Sequence, residues 1–225
     1  MVRICAIIPF YNEEKYAYDT INSVKRIKSI NRIIAIDDGS KDNTLNIIEG
    51  IGGIDIIKHA KNMGKAESVE EALKISNADI YVFLDGDLGY SASNIEPLID
   101  MVIGNECDAC VARLPTMTGT GGFGLLKAFA SFSVKFFTGV DFPCPLSGQR
   151  VINAKALKDF KGGRYRGYGL EVGMLIDLLN KGCFIKVKDA DLSHRYTYVN
   201  ASGFMHRTKQ FYDIIITLLN ILWRR

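Results

Sequence analysis

The sequence predicts an α/β protein, a mostly parallel sheet flanked by helices. Three observations carry that expectation. Short apolar runs alternate with helical segments through the first half of the chain, the rhythm of strands joined by crossover helices. Each run is followed by polar or glycine-bearing residues able to open a helix just beyond a strand end. The apolar run Tyr81-Val82-Phe83-Leu84 passes straight into two carboxylates, Asp85 and Asp87, spaced i, i+2. Nothing about stability asks a strand leaving an apolar core to end in two acids, whereas the carboxyl edge of such a sheet is where ligands bind.

In chain order, Ile4 to Ile8, Arg32 to Ile36, Asp55 to Lys58 and Ile80 to Leu84 read as strands. Helices are expected after Asn12-Glu13-Glu14, after Lys41-Asp42-Asn43-Thr44 and at Gly64-Lys65-Ala66-Glu67, so these loops gather at one sheet edge. Asp108 to Arg113 reads as a further strand, followed by four glycines in the six residues Gly119 to Gly124. That stretch reads either as a passive linker or as a loop gated by substrate. Leu125 to Val140 reads as an amphipathic helix rich in phenylalanine, and Phe184 to Val187 as a strand. The run Phe211 to Trp223, flanked by Arg207, Lys209, Arg224 and Arg225, reads as a helix packed on the core, with a membrane surface or a partner as the competing use. No internal repeat or boundary breaks the chain, and residues 1–225 are expected to form one domain.

At 225 residues and 48% hydrophobic content the chain can fill a sizeable core. A net charge of +3, with Lys and Arg scattered, is too mild to point to nucleic acid. Five cysteines without paired CxxC spacing argue against zinc and for a reducing compartment. Cys107 and Cys110 have redox spacing but read as two buried small hydrophobes. The apolar run before Pro9 is too short for a secretory h-region, which places the protein in the cytoplasm. No run approaches the ~20 apolar residues that cross a bilayer.

Carboxylate oxygens suit hard divalent cations, and a cation at that edge is placed to hold a diphosphate. Four features bear on this in a fixed order: Ile7-Ile8-Pro9-Phe10-Tyr11-Asn12-Glu13-Glu14, Ala35-Ile36-Asp37-Asp38-Gly39-Ser40, Asn62-Met63-Gly64-Lys65-Ala66, and Leu84-Asp85-Gly86-Asp87. Together they resemble the family-2 nucleotide-sugar glycosyltransferases of GT-A fold, closely over residues 4 to 113. The resemblance implies a Rossmann-like, mixed and mostly parallel sheet, with residues 1–113 binding the nucleotide sugar and 114–225 the acceptor. It further implies that Pro9, Tyr11 and Glu13 meet the nucleoside and that Asp37 or Asp38 meets the uracil or the ribose. In the same pattern Lys65 stands near the diphosphate or base, Gly86 lies in the metal loop, and Asp85 and Asp87 hold Mg2+ or Mn2+. The third ligand implied is His194, in Ala190-Asp191-Leu192-Ser193-His194-Arg195, where Arg195 is a candidate for phosphate. His59 and His206 carry no supporting pattern.

In the second half, Pro145-Leu146-Ser147-Gly148-Gln149-Arg150 and Gly167-Tyr168-Gly169-Leu170-Glu171 are similar to segments of the glucosyl-3-phosphoglycerate synthases. The similarity implies that Ser147, Gly148, Gln149, Tyr168 and Glu171 line the sugar and acceptor site, with Gly121 and Gly122 in the adjoining loop. Glu171 is expected either to bind a sugar hydroxyl or to act as a base on the acceptor. In those synthases an arginine in the Gly-rich loop grips the acceptor's charge, but here Gly121-Gly122 is followed by Phe123. That difference, with the Phe-rich helix and basic apolar C-terminus, favours a polyprenyl phosphate or lipid-linked acceptor over a small phosphorylated one. Peripheral membrane contact and a homodimer stay open. Among other classes, a nucleotidyltransferase would place glycines and basic residues after the first strand, where this chain is acidic and glycine-free. A binding module without turnover would be expected to lose one of Lys65, Asp85, Asp87 or Glu171.

Overall fold

Seven strands make one sheet: β1 (Ile4–Phe10), β2 (Arg32–Asp37), β3 (Asp55–Lys58), β4 (Ile80–Phe83), β5 (Ala109–Arg113), β6 (Arg150–Asn153) and β7 (Ile185–Asp189). The computed structural model describes residues 1–115, 123–158, 160, 164–193 and 201–223. The spatial order is β3-β2-β1-β4-β6-β5-β7. All pairings are parallel except those of β6, which runs antiparallel to both β4 and β5. The four-residue β6, Arg150-Val151-Ile152-Asn153, is not among the strands that the sequence rhythm picks out. Its direction matters for the site. Being reversed, β6 begins at the edge where β1, β2 and β4 end, which brings Gly148, Gln149 and Arg150 beside Asp85.

The helices are α1 (Ala17–Lys25), α2 (Thr44–Glu49), α3 (Lys65–Ile75), α4 (Glu96–Ile103), α5 (Phe123–Thr138), α6 (Gly169–Asn180) and α7 (Ala201–Leu222), with a 3-10 helix at Gly89–Ile95. Alternation along β1 sorts the core. Ile4, Ala6, Ile8 and Phe10 face α1 and α4, while Cys5 and Ile7 face α3 and the Leu170, Met174, Leu178 row of α6. A third cluster joins Leu126, Ala130 and Val134 of α5 to Val172 and Ile176 of α6 and to Ile214 and Leu218 of α7. The C-terminal run is thus a helix on the core, begun ten residues earlier than its apolar stretch indicates. Cys107 and Cys110 are buried, and loss of solvation pushes the Cys110 thiol up to about 12, where it is inert as a nucleophile.

Candidate active site

The polar loops at the carboxyl edge are fastened to one another before any ligand arrives. Thr44 Oγ1 accepts the Glu13 N–H at 2.8 Å, Asn12 Oδ1 accepts the Lys41 N–H at 2.8 Å, and Ser40 Oγ accepts the Asn12 N–H at 3.0 Å. Asp42 accepts hydrogen bonds from both Thr44 donors, consistent with a capping role; those bonds outweigh its desolvation and hold its carboxyl below the usual range. Asn12 reaches the left-handed region at φ 57°, a conformation asparagine tolerates better than most residues.

Asp37 and Asp38 end β2 side by side and do different work. Asp38 is buried, its Oδ1 accepting from the Met63 N–H and contacting His59 Nδ1, both at 2.7 Å, and its Oδ2 accepting from the Gly64 N–H at 2.8 Å. It therefore shapes the turn that delivers Lys65 to the start of α3. Asp37 is equally buried, but only its Oδ2 is engaged, by the Ser40 N–H at 3.2 Å; among the described residues its Oδ1 has no partner. His59, which sequence reading left as ordinary, is the clasp of this loop. Burial pulls its pKa down, but hydrogen bonds to Asp38 and Glu71 outweigh that and leave it raised.

At the centre stands an ion-paired cluster drawn from both halves of the chain. Lys65 Nζ lies 2.5 Å from Asp85 Oδ1 and 2.7 Å from Glu171 Oε1. Burial opposes its charge, yet the two carboxylates prevail and raise its pKa, so the ammonium persists at any physiological pH. Gln149, fully buried, grips Asp85 twice: its Nε2 donates to Asp85 Oδ2 at 2.5 Å and its Oε1 accepts the Asp85 N–H at 2.9 Å. Gly148 is a glycine by necessity, since a Cβ there would sit 2.7 Å from Lys65 Nζ and 2.8 Å from Asp85 Oδ2. Pro9, Lys65, Gly148, Arg150 and Glu171 line a cavity of about 20 Å³, room for a single water.

Two supports of this cluster were invisible in the sequence. Thr20, buried on α1, donates to the Gly86 carbonyl at 3.0 Å and accepts the Gly89 N–H at 2.8 Å, stapling the loop that holds Asp85 and Asp87. Gly86 packs so closely that a Cβ would meet the Phe10 ring at 2.5 Å. Arg150 is 2% exposed and donates to the carbonyls of Ser147 at 2.8 Å and Pro145 at 3.1 Å, which fixes the turn bearing Gly148. Its Nη1 and the Ser147 hydroxyl are buried without partners among the described residues. A threonine on a helix matches no motif, and only the approach of a distant loop gives Thr20 its task, whereas Arg150 holds the turn of its own segment.

Tyr168 and Glu171 are carried by the N-terminal end of α6, where a carboxylate is favoured by the helix dipole. The turn is held from outside by α7. Asp213 accepts the Tyr168 N–H at 3.5 Å, and Thr217 Oγ1 accepts the Arg166 N–H at 3.0 Å. Burial, with the charge of Glu171, pushes the Tyr168 phenol up to about 12. Tyr11 is exposed on the β1 loop, while Glu13 and Asp87 are partly exposed. Asp85 and Asp87 share one turn, as their spacing requires. His194, Gly121, Gly122 and Arg195 lie outside the described residues, as does the side chain of Phe123. Among the described residues no three His, Cys, Asp or Glu side chains converge as a metal-binding group.

A mixed seven-stranded sheet of this order, with acids and a lysine at the carboxyl edge of its parallel strands, is a Rossmann-like GT-A fold. The family model for glycosyl transferase family 2 matches residues 5–160, and the chain belongs to that family. It is 28% identical to the protein called Uncharacterized protein MJ0544 of Methanocaldococcus jannaschii, covering 93% of this chain and 98% of that one. It is 25% identical to UDP-N-acetylglucosamine--dolichyl-phosphate N-acetylglucosaminyltransferase of Methanococcus voltae over 95% of each chain. Among solved structures, glucosyl-3-phosphoglycerate synthase of Mycobacterium tuberculosis in complex with Mn2+, UDP and phosphoglyceric acid superposes with a TM-score of 0.76. That match covers 97% of this chain and 78% of the other at 21% identity, a likeness of fold.

Proposed function

We propose that the protein moves a hexose from a UDP-sugar, with a GDP-sugar second, to an acceptor hydroxyl or phosphate, and does so with Mg2+ or Mn2+. The observation that carries this is the Lys65, Asp85, Glu171 cluster, in which one ammonium links the nucleotide-binding half to the sugar-binding half of a single domain. Asp37, with a buried and open Oδ1, is suited to accept an N–H from the base. Asp38 is committed to its loop and acts only by placing Lys65. Tyr11 and Glu13 flank the nucleoside from the β1 loop.

The donor set fits a hard cation. Two carboxylates on one turn suit Mg2+ or Mn2+, which take the rest of their shell from water and phosphate oxygens, so the lack of a third described ligand is no obstacle. Both oxygens of Asp85 are held by Lys65 and Gln149, so a cation there would share Asp85 with these donors. His194 remains the proposed third ligand. When bound, the cation would neutralise charge gathering on the departing diphosphate. Lys65 adds a second positive charge there, and Gln149 with Gly148 keeps Asp85 from turning away. Glu171, Tyr168 and the Ser147 hydroxyl, which has no partner among the described residues, are the groups proposed to meet the sugar and acceptor, with Glu171 serving either to bind a hydroxyl or to take the acceptor's proton.

For the acceptor, the Methanococcus voltae relative and the apolar helices α5 and α7 support a polyprenyl phosphate used at the cytoplasmic side of a membrane. The fold likeness to the phosphoglycerate enzyme supports a small phosphorylated acceptor as the second reading. Thermal unfolding with UDP, GDP and their hexoses, with and without Mn2+, tests the donor. Selective stabilisation by a UDP-sugar is expected, and its metal-dependent part should vanish in Asp87→Ala. No shift with any nucleotide would overturn the reading. Labelled sugar recovered in a lipid extract, against label kept in water, separates the two acceptors.

A further inference from the structure

Helices α5 and α7 each present an apolar stripe to solvent. On α5 the stripe is Leu125, Phe129, Phe132 and Phe136, spaced i, i+4, i+7, i+11; Leu125, Phe132 and Phe136 are 72%, 65% and 68% exposed. On α7 it is Phe211, Ile215, Leu219 and Leu222, at nearly the same spacing, followed by Trp223 at 89% exposure. The two stripes meet, because the rings of Phe129 and Phe211 lie 5.4 Å apart between their centroids. They form one continuous surface, which is unlike the scattered exposed apolar residues of an ordinary monomer.

The charges on these two helices are nearly all of one sign. Between them α5 and α7 contain a single acid, Asp213, which is buried and faces Arg166. Their bases are Lys127, Lys135, Arg207 and Lys209, with Arg224 and Arg225 directly following Trp223 in the chain. Among those whose side chains are described, Lys135 has an acid to hand, Asp141 just past the end of α5. A second copy of the chain meeting this face about a two-fold axis would bring together two helix pairs with the same excess of bases and no exposed acid on either helix. An anionic headgroup layer over an apolar interior matches both the charge and the hydrophobicity. Neither helix is long and apolar enough to cross a membrane, so the match is to a helix pair lying in the interface.

We propose that the α5 and α7 face is a docking surface for an anionic lipid bilayer. This goes beyond the transfer reaction and does not depend on it. A different face of α7, through Asp213 and Thr217, holds the turn carrying Tyr168, so a chain docked in this way has its acceptor site next to the bilayer.

The test is co-sedimentation of the full chain, without substrate, with vesicles of phosphatidylcholine alone or mixed in equal parts with phosphatidylglycerol. Binding is expected only to the mixed vesicles. It should weaken by roughly fivefold for Lys209→Glu and further with added salt. Phe132→Asp and Leu219→Glu should remove it by at least about tenfold while melting temperature and UDP-sugar hydrolysis are kept. Wild-type protein left in the supernatant with both vesicle types would overturn the proposal. So would salt-insensitive binding to phosphatidylcholine alone, or a wild-type dimer that Phe132→Asp converts to monomer without any vesicle binding. Turnover of the donor is read separately, so failure here leaves the transferase reading intact.

Discussion

Gly148 shows how far one missing side chain reaches. Lys65 and Asp85 approach its Cα so closely that any Cβ displaces one of them. Gly148→Ala is expected to lower kcat by about 10²-fold, since misplacement near 1 Å costs that much, while circular dichroism reports an unchanged fold. His59 makes a second prediction, on stability. Its folded pKa is raised above the ordinary 6.5, so the contribution is whole below that value and is lost as pH rises through the folded pKa. Denaturant midpoints should therefore fall as pH rises above about 6.5, and His59→Gln should abolish that slope. Lys65, Asp85 and Glu171 were legible because each stands in a motif. Thr20 and His59 were not, because a hydrogen bond to a loop far away in sequence leaves no local pattern.

Among the elements, α7 has the most to answer for. Its inner residues Thr217 and Asp213 come so close to the turn before α6 that a Cβ at Gly169 would lie 2.0 Å from Thr217 Oγ1, and one at Gly167 would lie 2.2 Å from Asp213 Oδ2. Thr217→Val keeps the volume but strands the Arg166 N–H, and should cost about 1–3 kcal/mol in thermal or denaturant unfolding. Because that turn leads to Tyr168 and Glu171, kcat should fall as well, while the nucleotide's binding constant stays near the wild-type value. The opposite pattern, weaker nucleotide binding with kcat intact, would separate α7 from the sugar site. Strand β6 carries the complementary lesson. The sequence rhythm does not pick it out, yet its reversed direction is what places Gln149 against Asp85.

For the molecule as a whole, the metal prediction is the most exposed to test. Asp87→Asn should leave the ligand-free protein folded by circular dichroism, yet lose the Mn2+-dependent gain in melting temperature with a UDP-sugar. Isothermal titration of that sugar with and without Mn2+ measures the difference directly. The alternation of strands and helices, the acids at strand ends and the basic apolar C-terminus are all local patterns, so the chain alone determined the fold type and the family likeness and nominated most members of the candidate site. Tertiary structure decided what those members do. It gave Asp38 to a loop and left Asp37 open, set Lys65 between Asp85 and Glu171, and joined two helical stripes through Phe129 and Phe211. Those outcomes depend on distances between segments far apart in sequence, and contact across such separations is a property of packing that no single stretch of residues encodes.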